Sequence, residues 1–167
     1  IIEAAGSPDN TRSHFDAQDY MESGTPGVKS TPDGWLNRVL QVHGGVHATS
    51  PFAAVAMTGL TPRTLSGHAP VVAMTSLERF AVQAGNYTAS MSNGFEDLWQ
   101  QADAGDLGSA GRETFEAVQF LKRSGAIDRP EENGAVYPEG GMGRSLRQLA
   151  QLIKSDAGLR LGFAESG

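Results

Sequence analysis

This sequence predicts an α/β fold with a largely parallel sheet, and three observations predict it. Short apolar runs bounded by turn residues recur along the chain. Stretches of helical spacing lie between them. Glycine supplies 21 of 167 residues, in many separate places and without a repeat. Alternation matters because a parallel pair of strands needs a crossover long enough to hold a helix. Glycine at roughly twice its usual share, scattered in this way, fits many turns between short elements and not a collagen or low-complexity chain.

The elements follow in order. Ile1-Ile2-Glu3-Ala4-Ala5-Gly6 reads as the second half of a buried strand, and Ser7-Pro8-Asp9-Asn10 as the turn after it. Ser13 and Asp16 stand at capping-box spacing, which predicts a helix over 13–23. Thr31-Pro32-Asp33 opens a second helix, whose Trp35, Leu36, Val39 and Leu40 form a stripe expected to face a core. The runs 52–57 and 70–74 are too short for helices and read as strands. Residues 77–92 are ambiguous between the two. Helices are expected at 95–102 and 112–123, the latter stopped by Gly125. Residues 128–143 read as a long loop, with its glycines as a flexible helix entrance. A helix over 145–155 should bury Leu146, Leu149, Leu152 and Ile153 on one face. Finally, Leu159, Leu161 and Phe163 alternate as a half-buried strand does.

The length suits one domain, and no linker interrupts it. Four strands are few for a complete layer, and both ends read as cuts through it. The expectation is therefore a single domain, 1–167, or a fragment of a larger one. Composition excludes several classes. Without cysteine there is no disulfide, thiolate nucleophile or cysteine zinc site. Thirteen basic against nineteen acidic side chains give a net charge of −6 with no basic patch, which argues against nucleic acid as a partner. No apolar run approaches the ~20 residues of a membrane span.

The densest polar cluster runs from Asp9 to Asp19, at a strand-to-helix junction where backbone N–H groups favour an anion. Thr11 or Ser13 as nucleophile, Arg12 as a clamp on an oxyanion or phosphate and His14 as base make a set for acyl or phosphoryl transfer. The plainer reading stands beside it: Ser13 and Asp16 cap the helix, and Arg12 pairs with Asp9 or Asp16. His14 and Asp16 lie about 200° apart on a regular helix and cannot share one metal ion. Asp16 and Asp19 share a face and suit a hard cation or simple solvation. His43 and His47 have a zinc-helix spacing, but Gly44 and Gly45 would break that helix. Gly140-Gly141-Met142-Gly143-Arg144-Ser145 matches no phosphate-loop spacing.

Four blocks carry a resemblance. Gly6-Ser7-Pro8-Asp9-Asn10-Thr11-Arg12-Ser13-His14-Phe15-Asp16-Ala17-Gln18-Asp19 resembles the signature of a bacterial family of unknown function with twin-arginine export signals, placed in the alkaline phosphatase/sulfatase superfamily. Glu22-Ser23-Gly24-Thr25-Pro26-Gly27, Asp33-Gly34-Trp35-Leu36-Asn37-Arg38 and Gly143–Lys154 are similar to further blocks of that family, in its order. The resemblance implies an alkaline-phosphatase-like sandwich of helices around a sheet, periplasmic or exported, with a metal-assisted hydrolase ancestry. It implies a small anionic ester as substrate and a divalent metal in the full-length protein. Asn10-Thr11-Arg12-Ser13 looks similar in place to the segment where sulfatases carry their nucleophile. Thr11, Arg12, Ser13, His14 and Asp16 are the candidate catalytic residues. The family's metal-ligand candidates, a Gly-Trp-Asp-Thr-His and an Asp-His-Gly segment, are absent from these residues, so the fragment is expected to be inactive alone. The alternative is a noncatalytic exported binding or assembly protein that keeps the fold.

Overall fold

A computed structural model of the chain describes residues 10, 12–44, 50–81 and 106–166. They divide into two compact units, Ile1–Ala48 with Thr61–Val71 and Thr49–Leu60 with Val72–Gly167. The expected strand at 1–6 and the expected helix at 95–102 lie outside the described residues.

The first unit is helical. Helix α1 spans His14–Ser23 and helix α2 spans Trp35–Gly44, with a 3-10 turn at Arg63–Leu65. Ser13 caps α1, its Oγ accepting from Asp16 N at 3.2 Å. Gly24 closes the helix in the left-handed conformation (φ 66) and donates its N–H to Tyr20 O. Between the helices, Arg38 donates to Ser23 O and to Asp33 O, each at 2.6 Å. Arg63 donates to Pro32 O at 2.8 Å and to Thr31 O. Each guanidinium thus satisfies backbone carbonyls that the loop leaves open.

The buried face of α2 matches the expected one only in part, at Leu40 and the half-buried Leu36. Asn37 and Leu40 are buried, whereas Trp35 is 44% and Val39 41% exposed. The reason is Gly34 at the head of the helix. A Cβ there would overlap the Thr64 and Arg63 carbonyls, so the 3-10 turn docks against Gly34 and Asn37 and turns Trp35 outward. Phe15 and Met21 of α1 are likewise exposed, at 85% and 60%.

The second unit holds an all-parallel sheet. Strands β1 (Ala54–Ala56), β2 (Val72–Ala73) and β3 (Leu161–Phe163) stand in the order β2-β1-β3. In register, Val55 faces Val72 on one side and Gly162 on the other. Residues 52–57 are buried throughout, as a central parallel strand requires. Residues 77–81 are helical. Helix α3 (Asp106–Ser124) and helix α4 (Gly141–Lys154) complete the unit. Phe52, Val55, Leu77, Leu121, Leu149 and Leu152 form its core. The Phe52 and Phe120 rings lie 5.6 Å apart at a tilted angle. These features are those of a mixed α/β chain with a small, open, parallel sheet.

Helix α4 starts four residues earlier than the spacing predicts. Leu149 and Leu152 are buried as expected, but Leu146 is 41% and Ile153 62% exposed. Gly143 is why. It is buried against Pro138, whose carbonyl a Cβ would overlap, and this contact sets the helix one turn sooner. Polar contacts then fix its rotation. Gln151 donates to Ile127 O and Arg129 O at 3.0 and 3.1 Å, and Gln148 accepts from Leu77 N at 2.7 Å. Glu131 pairs with Arg147, and Glu132 with Lys154 and Arg129. The Lys154 and Arg129 hydrogen bonds hold the Glu132 carboxyl below its ordinary pKa of 4.5. The Glu132 pairs are therefore complete at neutral pH and are lost as pH falls from that value through the depressed one.

Just after α4, Ser155 Oγ is buried and has no hydrogen-bond partner among the described residues. Ser155→Ala removes a desolvated hydroxyl, so it is expected to stabilise the protein by about 1 kcal/mol. Urea unfolding of both proteins checks the sign; a less stable variant would mean that the hydroxyl is satisfied in solution.

Candidate functional site

The start of α1 gathers most of the expected site residues. Arg12 has φ 57, an uncommon conformation for a residue with a side chain, which turns the chain into the Ser13 cap. Arg12 and His14 are both exposed, on either side of the half-buried Ser13. Neither forms an ion pair with a described residue. Thr11 lies outside the described residues. The Ser13 oxygen is engaged as cap acceptor, as the plainer reading of that residue requires.

The two acidic residues have other partners. Asp16 pairs with Lys29 at 2.7 Å, and Asp19 with Arg63 Nε at 3.1 Å. Arg12 thus pairs with neither of these aspartates. Each carboxylate already faces a cation, and the structure does not direct the two onto one point. Among the described residues no group of three or more His, Asp or Glu side chains is placed to hold a metal ion. The described residues therefore do not fit a divalent-metal centre. His43 lies in the last turn of α2 and is exposed, while His47 lies outside the described residues.

What the start of α1 offers chemically is an anion contact. The first-turn N–H groups carry partial positive charge, and Arg12 adds a full charge in a planar fork suited to phosphate or sulfate oxygens. His14 adds an exposed imidazole that can donate or accept a hydrogen bond.

A second polar edge was not foreseen residue by residue. At the carboxyl ends of the strands stand Thr58 and Gly59 after β1, Thr75 and Ser76 after β2, and Glu165 and Ser166 after β3. Thr58 Oγ1 donates to Leu60 O at 2.7 Å, and Ser76 Oγ accepts from Arg79 N at 3.3 Å. Glu165, Ser166 and Thr75 are exposed. In open α/β sheets ligands bind beyond these ends, where the order of strands reverses direction. The order β2-β1-β3 has that property at β1, since the chain leaves it toward β2 and later returns on the other side. The signal was available in the sequence: the polar residues that directly follow each short apolar run.

Comparison with protein-family models, with curated proteins and with solved structures returned no match.

Proposed function

We propose that this chain is part of an exported hydrolase of phosphate or sulfate esters, of the alkaline phosphatase/sulfatase superfamily. In that reading it supplies scaffold and an anion-contacting helix start. The four sequence blocks support the family, and the parallel sheet is compatible with its helix/sheet/helix sandwich. One observation carries the site: Arg12 and His14 are exposed together at the N-terminus of α1 while Asp16 and Asp19 are held by Lys29 and Arg63. Arg12 clamps the non-bridging oxygens of the ester, and His14 moves a proton to or from the reacting oxygen. Ser13 and Asp16 fix the helix start that presents them; Thr11 adjoins Arg12 in sequence. A divalent metal, which the superfamily uses to polarise the ester, would need ligands from outside the described residues.

The test is turnover of an aryl phosphate and an aryl sulfate by the intact exported protein, supplied in turn with magnesium, calcium, manganese and zinc. Arg12→Ala is expected to lower kcat/KM about a hundredfold, and His14→Ala by about the same factor or more. Residues 1–167 alone are expected to be inactive. Undiminished activity in both variants would move the site to the carboxyl edge of the sheet. An inert, metal-free intact protein would instead make this a binding or assembly protein.

A further inference from the structure

The turn at 132–135 has chemistry that its surroundings leave free to occur. Ala135 N donates to Glu132 O at 3.1 Å. The two residues between them, Asn133 (φ 57) and Gly134 (φ 70), are both left-handed. That is the type I′ pattern, for which Asn-Gly is the preferred sequence. Both residues are exposed, and the Asn133 amide forms no hydrogen bond with a described residue. A Cβ built on Gly134 would meet nothing within 4 Å, so no neighbour crowds the nitrogen from that side.

We propose that Asn133 is a site of spontaneous deamidation. The Gly134 nitrogen attacks Asn133 Cγ, and the new N–Cγ bond closes a cyclic imide. The Cγ–Nδ2 bond breaks, and Nδ2 leaves as ammonia with the proton that the Gly134 amide loses. Water then adds to one of the two imide carbonyls. Opening on one side gives aspartate; opening on the other gives an isoaspartyl link, with the backbone rerouted through the side-chain carbon. Water is the only co-reactant, and nothing is oxidised or reduced. Glycine at the following position makes the attack feasible because no side chain shields the nucleophile. The attack requires Asn133 to rotate out of the turn, so the reaction runs through local opening of the loop tip.

The other described asparagines lack this combination. Asn37 is fully buried, both its amide atoms are bonded, and Arg38 follows it. Asn10 is followed by Thr11. Conversion at Asn133 places a new carboxylate beside Glu131 and Glu132, the residues that clasp this loop to Arg147 and Lys154. In the isoaspartyl product the added backbone atom also misaligns Ala135 N with Glu132 O.

Peptide mapping tests the site. The native protein is incubated at mildly alkaline pH and digested with trypsin beside a zero-time sample. The fragment 124–144, in which Arg129 is shielded by Pro130, contains Asn133 as its sole side-chain amide. It is expected to gain the mass of NH2 replaced by OH and to split into aspartyl and isoaspartyl forms on chromatography. The fragment carrying Asn37 stays unchanged, and Asn133→Gln abolishes the shift. An intact Asn133 in native protein, under conditions that convert the urea-unfolded chain, would overturn the proposal.

Discussion

Asn37→Asp is expected to destabilise the helical unit by about 3–5 kcal/mol, because it leaves a buried charge facing acceptors. The Asn37 side chain is fully buried, and every hydrogen-bonding position on it is used. Nδ2 donates to Leu65 O at 2.7 Å and to Ala69 O at 2.9 Å. Oδ1 accepts from Gln41 Nε2 at 2.8 Å and from Ala69 N at 3.0 Å. Aspartate keeps the shape and the acceptor but turns both donors into acceptors, so the two carbonyls would point at an anion with no water to separate them. Asn37→Leu removes the conflict and leaves three backbone groups unpaired, at about 1–3 kcal/mol for each group that stays desolvated. Urea unfolding followed through tryptophan fluorescence measures both, with hydrogen exchange over 61–71 as the local readout. Equal stability of the aspartate variant and the parent would show that the 3-10 turn is not held by this side chain.

Gly143→Ala is expected to cost about 3 kcal/mol, in the upper range for forcing atoms into a packed site. The added methyl has no room, since it would overlap the Pro138 carbonyl oxygen. Either the loop must leave α4 or the first turn of the helix must unwind. Gly141, two residues earlier in the same turn, is the internal control. It is exposed with nothing within 4 Å, so Gly141→Ala should gain about 0.5 kcal/mol from helix propensity alone. Opposite signs at these two positions, read from urea midpoints, are the result expected. A harmless alanine at 143 would mean that the loop 125–140 is not seated on α4 in solution.

These two residues also mark where the sequence was legible and where it was not. Local signals with a one-to-one mechanism worked. The Ser13 cap, the stop of α1 before Gly24, the apolar run at 52–57 and the left-handed Gly125 were all readable, because each depends on neighbours within one turn of chain. Burial around the helices was read less well. The apolar stripes promised that Trp35, Val39, Leu146 and Ile153 would face inward, yet all four are exposed. In both helices the packed face was chosen by a glycine that admits a distant backbone, Gly34 beneath the 3-10 turn and Gly143 beneath Pro138. Periodicity records which side chains are apolar. It carries no record of where a missing side chain lets another segment come close. The candidate site divided in the same way. That Ser13 would act as a cap was visible in its spacing, but that Lys29 and Arg63 would take up Asp16 and Asp19 was not. Arg63 is 44 positions away from Asp19, and no local pattern connects them.

The path of the chain between the two units has a consequence for how damage spreads. Residues 61–71 leave the sheet after β1, build the 3-10 turn among the helices, and return to become β2. The helical unit is thus partly an insertion within a pair of adjacent strands. Melting it does not sever the strand pair; it releases a loop whose closure entropy grows only logarithmically with length. By chain connectivity alone, a lesion such as Asn37→Asp is therefore expected to disorder the helices without cutting the β1–β2 pair. The reverse does not hold, because separating β1 from β2 frees both anchors of the segment on which the helices are assembled.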